Sequence, residues 1–134
     1  MRDLMSNIGP AQSLRPQVVT AAVNGSGVDL LGFGSAALIL DAGTMTGTTP
    51  SETIKWQESD DNSTFTDIAS SDLVGGVSGT IALDTTNHQS IIKRGYTGGK
   101  RYVRGIVSAV AGTSPSCPLS LQVVRGHAAF RPIP

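Results

Sequence analysis

Asp60, Asp61, Asn62, Ser63 and Asp67 place five oxygen-bearing side chains in one short run, the donor chemistry that a calcium ion takes. An EF-hand loop draws its ligands from alternating positions around a central glycine and ends on a bidentate glutamate. This run has neither feature, so the expectation is a solvated turn that stops the strand before it. His88 and His127 lie far apart, and neither has a Cys, His or acidic neighbour at zinc-ligand spacing. Serine, aspartate and histidine are all present, but no G-x-S-x-G elbow is. Cys117 stands between Ser116 and Pro118 with no sign of an activating neighbour. Gly32-Phe33-Gly34 and the glycines from Gly95 to Gly99 have no helix after them to cradle a phosphate, and read as turns. The expectation is therefore a chain with no catalytic, metal-binding or cofactor-binding residues, and not an enzyme.

Lys93, Arg94, Lys100, Arg101 and Arg104, flanked by Tyr96 and Tyr102, form the one basic concentration. Alternating cations and aromatics suit single-stranded nucleic acid. On adjacent strands, however, that alternation divides the charges between two faces, which favours a solvated or subunit-contacting surface. The formal net charge is zero, from ten basic and ten acidic residues, so no nucleic-acid partner is expected.

The elements that must carry these side chains read as strands. Sixteen glycines, seven prolines and abundant Ser, Thr and Val favour short strands and tight turns, and no window has a helical period. Thr53 to Ile68 is the clearest stretch. Ile54 and Trp56 alternate with Lys55 and Gln57, Asp60 to Ser63 turn the chain, and Phe65 and Ile68 restart an apolar face, which predicts a hairpin with inward aromatics. Trp56, the single tryptophan, is the expected centre of the core.

Residues 1–16 have no period and are expected to be a flexible arm, with the domain over 17–125 and a patternless tail over 126–134. Gln17 to Val23 and Val28 to Leu31 flank Asn24-Gly25-Ser26-Gly27 and suggest a first hairpin. Ala36 to Asp41 is apolar on both faces, as in a central strand or one covered by a neighbouring subunit. Further strands are expected over 80–83, 89–96, 101–110 and 119–125, with loops over 43–51 and 111–118. Those two loops echo each other, Asp41-Ala-Gly-Thr-Met-Thr-Gly-Thr-Thr-Pro50 against Val110-Ala-Gly-Thr-Ser-Pro115. A duplicated hairpin and a shared Gly/Thr/Pro composition both account for that echo. About eight strands separated by regular turns indicate a single all-β domain, a β-sandwich or jelly-roll-like fold.

The runs KWQESDDNSTFTDIASSDLVGG, SLRPQVVTAAVNGSGVDLLGFGSAALILDAGTMTGTTP and YTGGKRYVRGIVSAVAGTSPSCPLSLQVVRGH, together spanning residues 13 to 127, resemble a small family of tailed-bacteriophage virion structural proteins. The resemblance implies a virion destination and brings no catalytic motif. It points to a capsid decoration or cement protein that binds the major capsid protein and copies of itself, with a trimer favoured. A tail or neck adaptor and a carbohydrate- or receptor-binding module are the alternatives.

A lone cysteine permits no intrachain disulfide and suits folding in a reducing cytoplasm, which for a phage protein is the host's. The first sixteen residues lack the apolar run of a secretory signal, and no apolar stretch is long enough to span a bilayer, so no membrane partner is expected.

Overall fold

Alternation of inward and outward side chains governs nearly every element of the computed structural model, which describes residues 2–133. Its strands are β1 (Ile8–Val19), β2 (Val23–Asn24), β3 (Val28–Asp29), β4 (Phe33–Ala42), β5 (Thr46–Ser59), β6 (Thr66–Asp67), β7 (Thr80–Asp84), β8 (Ile91–Tyr96) and β9 (Tyr102–Ala128). Short 3-10 turns occupy Met5–Asn7, Ser70–Asp72 and Val74–Gly76. The chain is all-β, and its nine described strands form one curled antiparallel sheet, a sandwich-like single domain.

One ribbon builds the whole molecule. β4 and β5 run on from one another, and β9 pairs antiparallel with both, from Phe33 against Ala128 to Ser59 against Tyr102. The first half of β9 lies between β5 and the pair β2/β3, while its second half lies between β4 and β1. β8 extends the sheet beyond β4, and β6 and β7 extend it beyond β5. β9 therefore belongs to both halves of the sandwich.

The two halves close over a single core. Leu14, Leu38, Leu40, Leu119, Leu121 and Val123 come from one half, and Val28, Ile54, Trp56, Ile81, Leu83, Val103 and Val107 from the other. Trp56 is 1% exposed, so the tryptophan does sit in the core. A Cβ at Gly105 would stand 2.6 Å from Leu121 Cδ1 and 3.0 Å from Trp56 Cζ3, which shows how tightly the halves meet there.

Where the ribbon passes from one half to the other, the two echoing segments turn out to be partners. Thr46 pairs with Ser116, Thr48 with Thr113, and Ser51 with Ala111, with register shifts between them. Gly47-Thr48-Thr49-Pro50 and Gly112-Thr113-Ser114-Pro115 carry positive φ at the same two positions. The glycines have φ of 117° and 110°, and Thr49 and Ser114 have φ of 46° and 49°. A Cβ on Gly47 would lie 2.7 Å from the Ser114 carbonyl oxygen, and one on Gly112 would lie 2.7 Å from that of Thr49. The two bulges interlock about an approximate two-fold axis, and only glycine fits at either point. The loops expected over 43–51 and 111–118 are thus largely strand. Their Gly/Thr/Pro composition marks bulges rather than turns.

Several other boundaries differ from the sequence reading. Residues 8–16, expected in an arm, belong to β1, which pairs Ile8 with Gly126 and Val19 with Cys117. Pro10 and Pro16 hid this strand, and both are tolerated because β1 is an edge strand that needs few of its N–H groups. Residues 126–128, expected in the tail, finish β9. Gln17 to Leu31 is not a hairpin either. β2 pairs Val23 with Val107, and β3 pairs Val28 with Val103, so both run the same way along β9 as one interrupted edge strand. Gly25 donates its N–H to the Gly105 carbonyl at 2.9 Å, and a Cβ there would collide with that oxygen. Its glycine serves close approach, not reversal of the chain.

The hairpin over Thr53 to Ile68 is present, with Gln57 opposite Asp67 and Glu58 opposite Thr66. Of its two aromatics, only Trp56 points fully inward. Phe65 is half-buried beneath the Arg104 guanidinium, 4.1 Å from the ring centroid. In β4, Leu38 and Leu40 are buried while Ala37 and Ile39 on the other face remain half-exposed.

Candidate functional site

The acidic run forms a self-contained turn. Asp61 Oδ1 accepts from the Ser63 and Thr64 amides, both at 2.9 Å, and from the Ser59 hydroxyl at 2.9 Å. Those amide hydrogen bonds, with that of Ser59, hold its carboxyl down at about 2. Asn62 adopts φ of 59°, as Asn does readily in turns. Asp60 turns away to Lys100 at 2.7 Å, and Asp67 to Gln57 and Lys55 at 2.9 and 3.3 Å. The carboxylates thus face different partners, and among the described residues no group of three or more His, Cys, Asp or Glu is placed to hold a metal.

The basic concentration is spread across the surface. Lys93 is exposed on β8, and Arg94 donates to the Ser78 carbonyl at 2.9 Å. Arg101 grips Asp29 with two bonds of 2.9 and 2.8 Å, which pull the Asp29 carboxyl down to about 2. Arg104 donates to Gln57 at 3.0 Å on the opposite edge of the first half of β9. Tyr96 is buried, and its hydroxyl donates to Glu58 at 2.6 Å and accepts the Lys100 amide at 3.1 Å. Burial first, and that carboxylate second, raise its pKa.

Of the residues expected in turns, Gly32 lies in one, whereas Phe33 and Gly34 open β4 and Gly95 lies in β8; Gly32, Phe33, Gly34, Gly98 and Gly99 frame a cleft of about 390 Å³ with Asp60, Tyr96, Lys100 and Arg101. A second groove of about 570 Å³ runs past Leu4, Ile8, Ala37 and Val124 to His127. In its wall Ser35 Oγ and His127 Nδ1 are 2.7 Å apart, a pairing that 92 residues of separation hid from sequence reading. Among the described residues no carboxylate bonds to that imidazole, so the dyad lacks the third group that would orient a base. His88 is half-buried, and its Nδ1 accepts the Met45 amide at 2.8 Å. Cys117 is fully buried, and burial, with a smaller contribution from Glu52, pushes its thiol up to about 11.

Sequence reading also missed an apolar end. Among the described residues, Leu4, Met5, Leu31 and Phe130 are large apolar side chains left in solvent, Phe130 at 89% and Leu31 at 67% exposure, while Val18, Val74, Val77 and Ile91 are exposed elsewhere. The first four gather where the two ends of the chain meet. Ala129 donates to the Gly32 carbonyl at 2.9 Å, and Ile133 to that of Ser6 at 3.0 Å. The domain is thus sandwich-like, with a closed core and an exposed apolar end. No family model matches the chain, and no curated protein does.

Proposed function

We propose that the chain is a structural protein of a tailed-phage virion, a decoration or cement protein that sits on the outer capsid surface and binds the major capsid protein and its own copies. The resemblance of residues 13 to 127 to phage structural proteins supplies the context. The observation that carries the docking role is the apolar end formed by Leu4, Met5, Leu31 and Phe130, since solvent-exposed apolar clusters mark contact surfaces. The half-exposed outer face of β4, with Ala37 and Ile39, offers a second contact for the trimer that the resemblance favours. Docking here uses a built surface rather than free arms. Deleting residues 1–16 would remove most of β1 and so would not test docking alone. Leu31→Asp with Phe130→Asp leaves the strands intact and should abolish binding to purified heads. Immunogold label confined to tails, or full head binding by that double variant, would overturn the assignment in favour of a tail or neck adaptor or another role.

The 390 Å³ cleft favours one alternative, a glycan-binding module, because it combines the Phe33 ring with Asp60, Lys100 and Arg101. Saturable glycan-array binding abolished by Phe33→Ala would support that reading.

A further inference from the structure

Glu52 is the most anomalous side chain in the fold. It lies on the inward face of β5 between Pro50 and Ile54, is 2% exposed, and neither carboxylate oxygen has a hydrogen-bond partner. Buried carboxylates are normally paired, because an unpaired charge in the interior costs far more than a neutral acid does. Its position in the ribbon is also particular. Glu52 follows Pro50 by two residues, as Cys117 follows Pro115, so the two interlocked bulges aim these two side chains into the interior. Cys117 on β9 is the titratable group that feels the Glu52 charge. On the other side β7 presents Leu83, Glu52's cross-strand partner, and His88, in the loop after β7, is turned to the Met45 amide.

We propose that Glu52 is a pH-sensitive latch at the ribbon crossing: neutral, it lets the two halves of the sandwich close over it, and ionised, it drives the crossing open and uncovers Cys117. The crossing is suited to open, because Thr49 and Ser114 hold left-handed backbones that only the interlocked neighbours maintain. Burial pushes the Glu52 carboxyl up to about 7, which places its ionisation near neutrality. A carboxyl raised in the closed state binds a proton that the open state releases, so closure is undisturbed below the ordinary value of 4.5, weakens as pH rises from there to about 7, and weakens no further above it.

Cys117, the single cysteine, supplies the readout. Maleimide labelling of the full chain is followed from pH 5 to 9, and each rate is divided by that of the urea-unfolded chain at the same pH. The normalised rate should rise by up to about tenfold per pH unit as pH climbs toward about 7, as release of one proton dictates, and level off above it. In Glu52→Gln, and in Glu52→Leu as a second variant free of a buried amide, it should stay flat throughout. Parallel profiles in wild type and variants, or no labelling of the wild type at pH 9, would overturn the latch. The wild-type carboxyl carbon of Glu52, followed by NMR, gives a check that needs no variant, and a titration midpoint below pH 5 would overturn it as well.

Discussion

Ser13→Ala isolates the joint between the interrupted edge strand and β9. The Ser13 hydroxyl donates to the Ser26 carbonyl at 2.8 Å and accepts the Gly105 amide at 2.9 Å, while its own carbonyl accepts the Ser26 amide at 2.7 Å. Substitution removes both hydroxyl bonds and keeps the backbone one. Ser26 is exposed, so its carbonyl turns to water at little cost. Gly105 is buried against Leu121 and Trp56, so its N–H is left without a partner, which costs about 1–3 kcal/mol. The expected loss is about 2 kcal/mol. Urea unfolding followed by Trp56 fluorescence should show a midpoint lower by about 1 M with an unchanged slope. Ser26→Ala, which keeps every bond named above, should cost less than about 0.5 kcal/mol. A Ser13→Ala loss as small as that would refute the reasoning, because Gly105 would then have found another acceptor.

Gly47→Ala and Gly112→Ala should each cost about 1–3 kcal/mol, from left-handed backbone strain and the collision with the facing carbonyl, and a loss confined to one of them in urea titrations would refute the matched bulges. Trp56→Ala should destabilise by about 3–5 kcal/mol, whereas Trp56→Phe should cost much less because the indole Nε1 has no partner to lose. Equal losses would show that the nitrogen is bonded. The depressed Asp61 carboxyl contributes stability that is complete above the unfolded value of 3.8 and is lost as pH falls through about 2. Asp61→Asn should therefore flatten the acid limb of the stability curve, and an unchanged limb would count against the turn. Calcium or chelator should leave the wild-type Tm where it is, and a rise of several degrees with calcium would revive the ion site.

What the sequence made legible was the side-chain period. Ile54 and Trp56 alternate with polar neighbours and point inward as expected, and Leu38 and Leu40 do the same. Glycine and proline were harder, because each has two structural uses. Gly25 reads as a turn residue from its neighbours, but it serves the close approach of two backbones. Pro10 reads as a strand breaker, yet β1 carries it on an edge. The echo between residues 41–50 and 110–115 was visible as a repeat. That the copies face one another is a long-range fact which local pattern does not hold. Ser35 with His127, and Gly32 with Ala129, are likewise brought together only by the closure of β9 on β4.

Because both halves of the sandwich borrow their middle from β9, the nascent chain cannot finish either one early. When β4 and β5 have left the ribosome, Leu38, Leu40, Ile54 and Trp56 still lack β9, the strand that completes their sheet. The hairpin of β5 with β6, the pairing of β5 with β7 and that of β4 with β8 are the contacts within early reach. All of the rest must wait for β9, with β1 held in reserve until its partner, at the far end of the sequence, emerges. Such pairing order makes folding slow and leaves apolar strands bare during synthesis, so this chain makes its heaviest demand on chaperones just before β9 is translated.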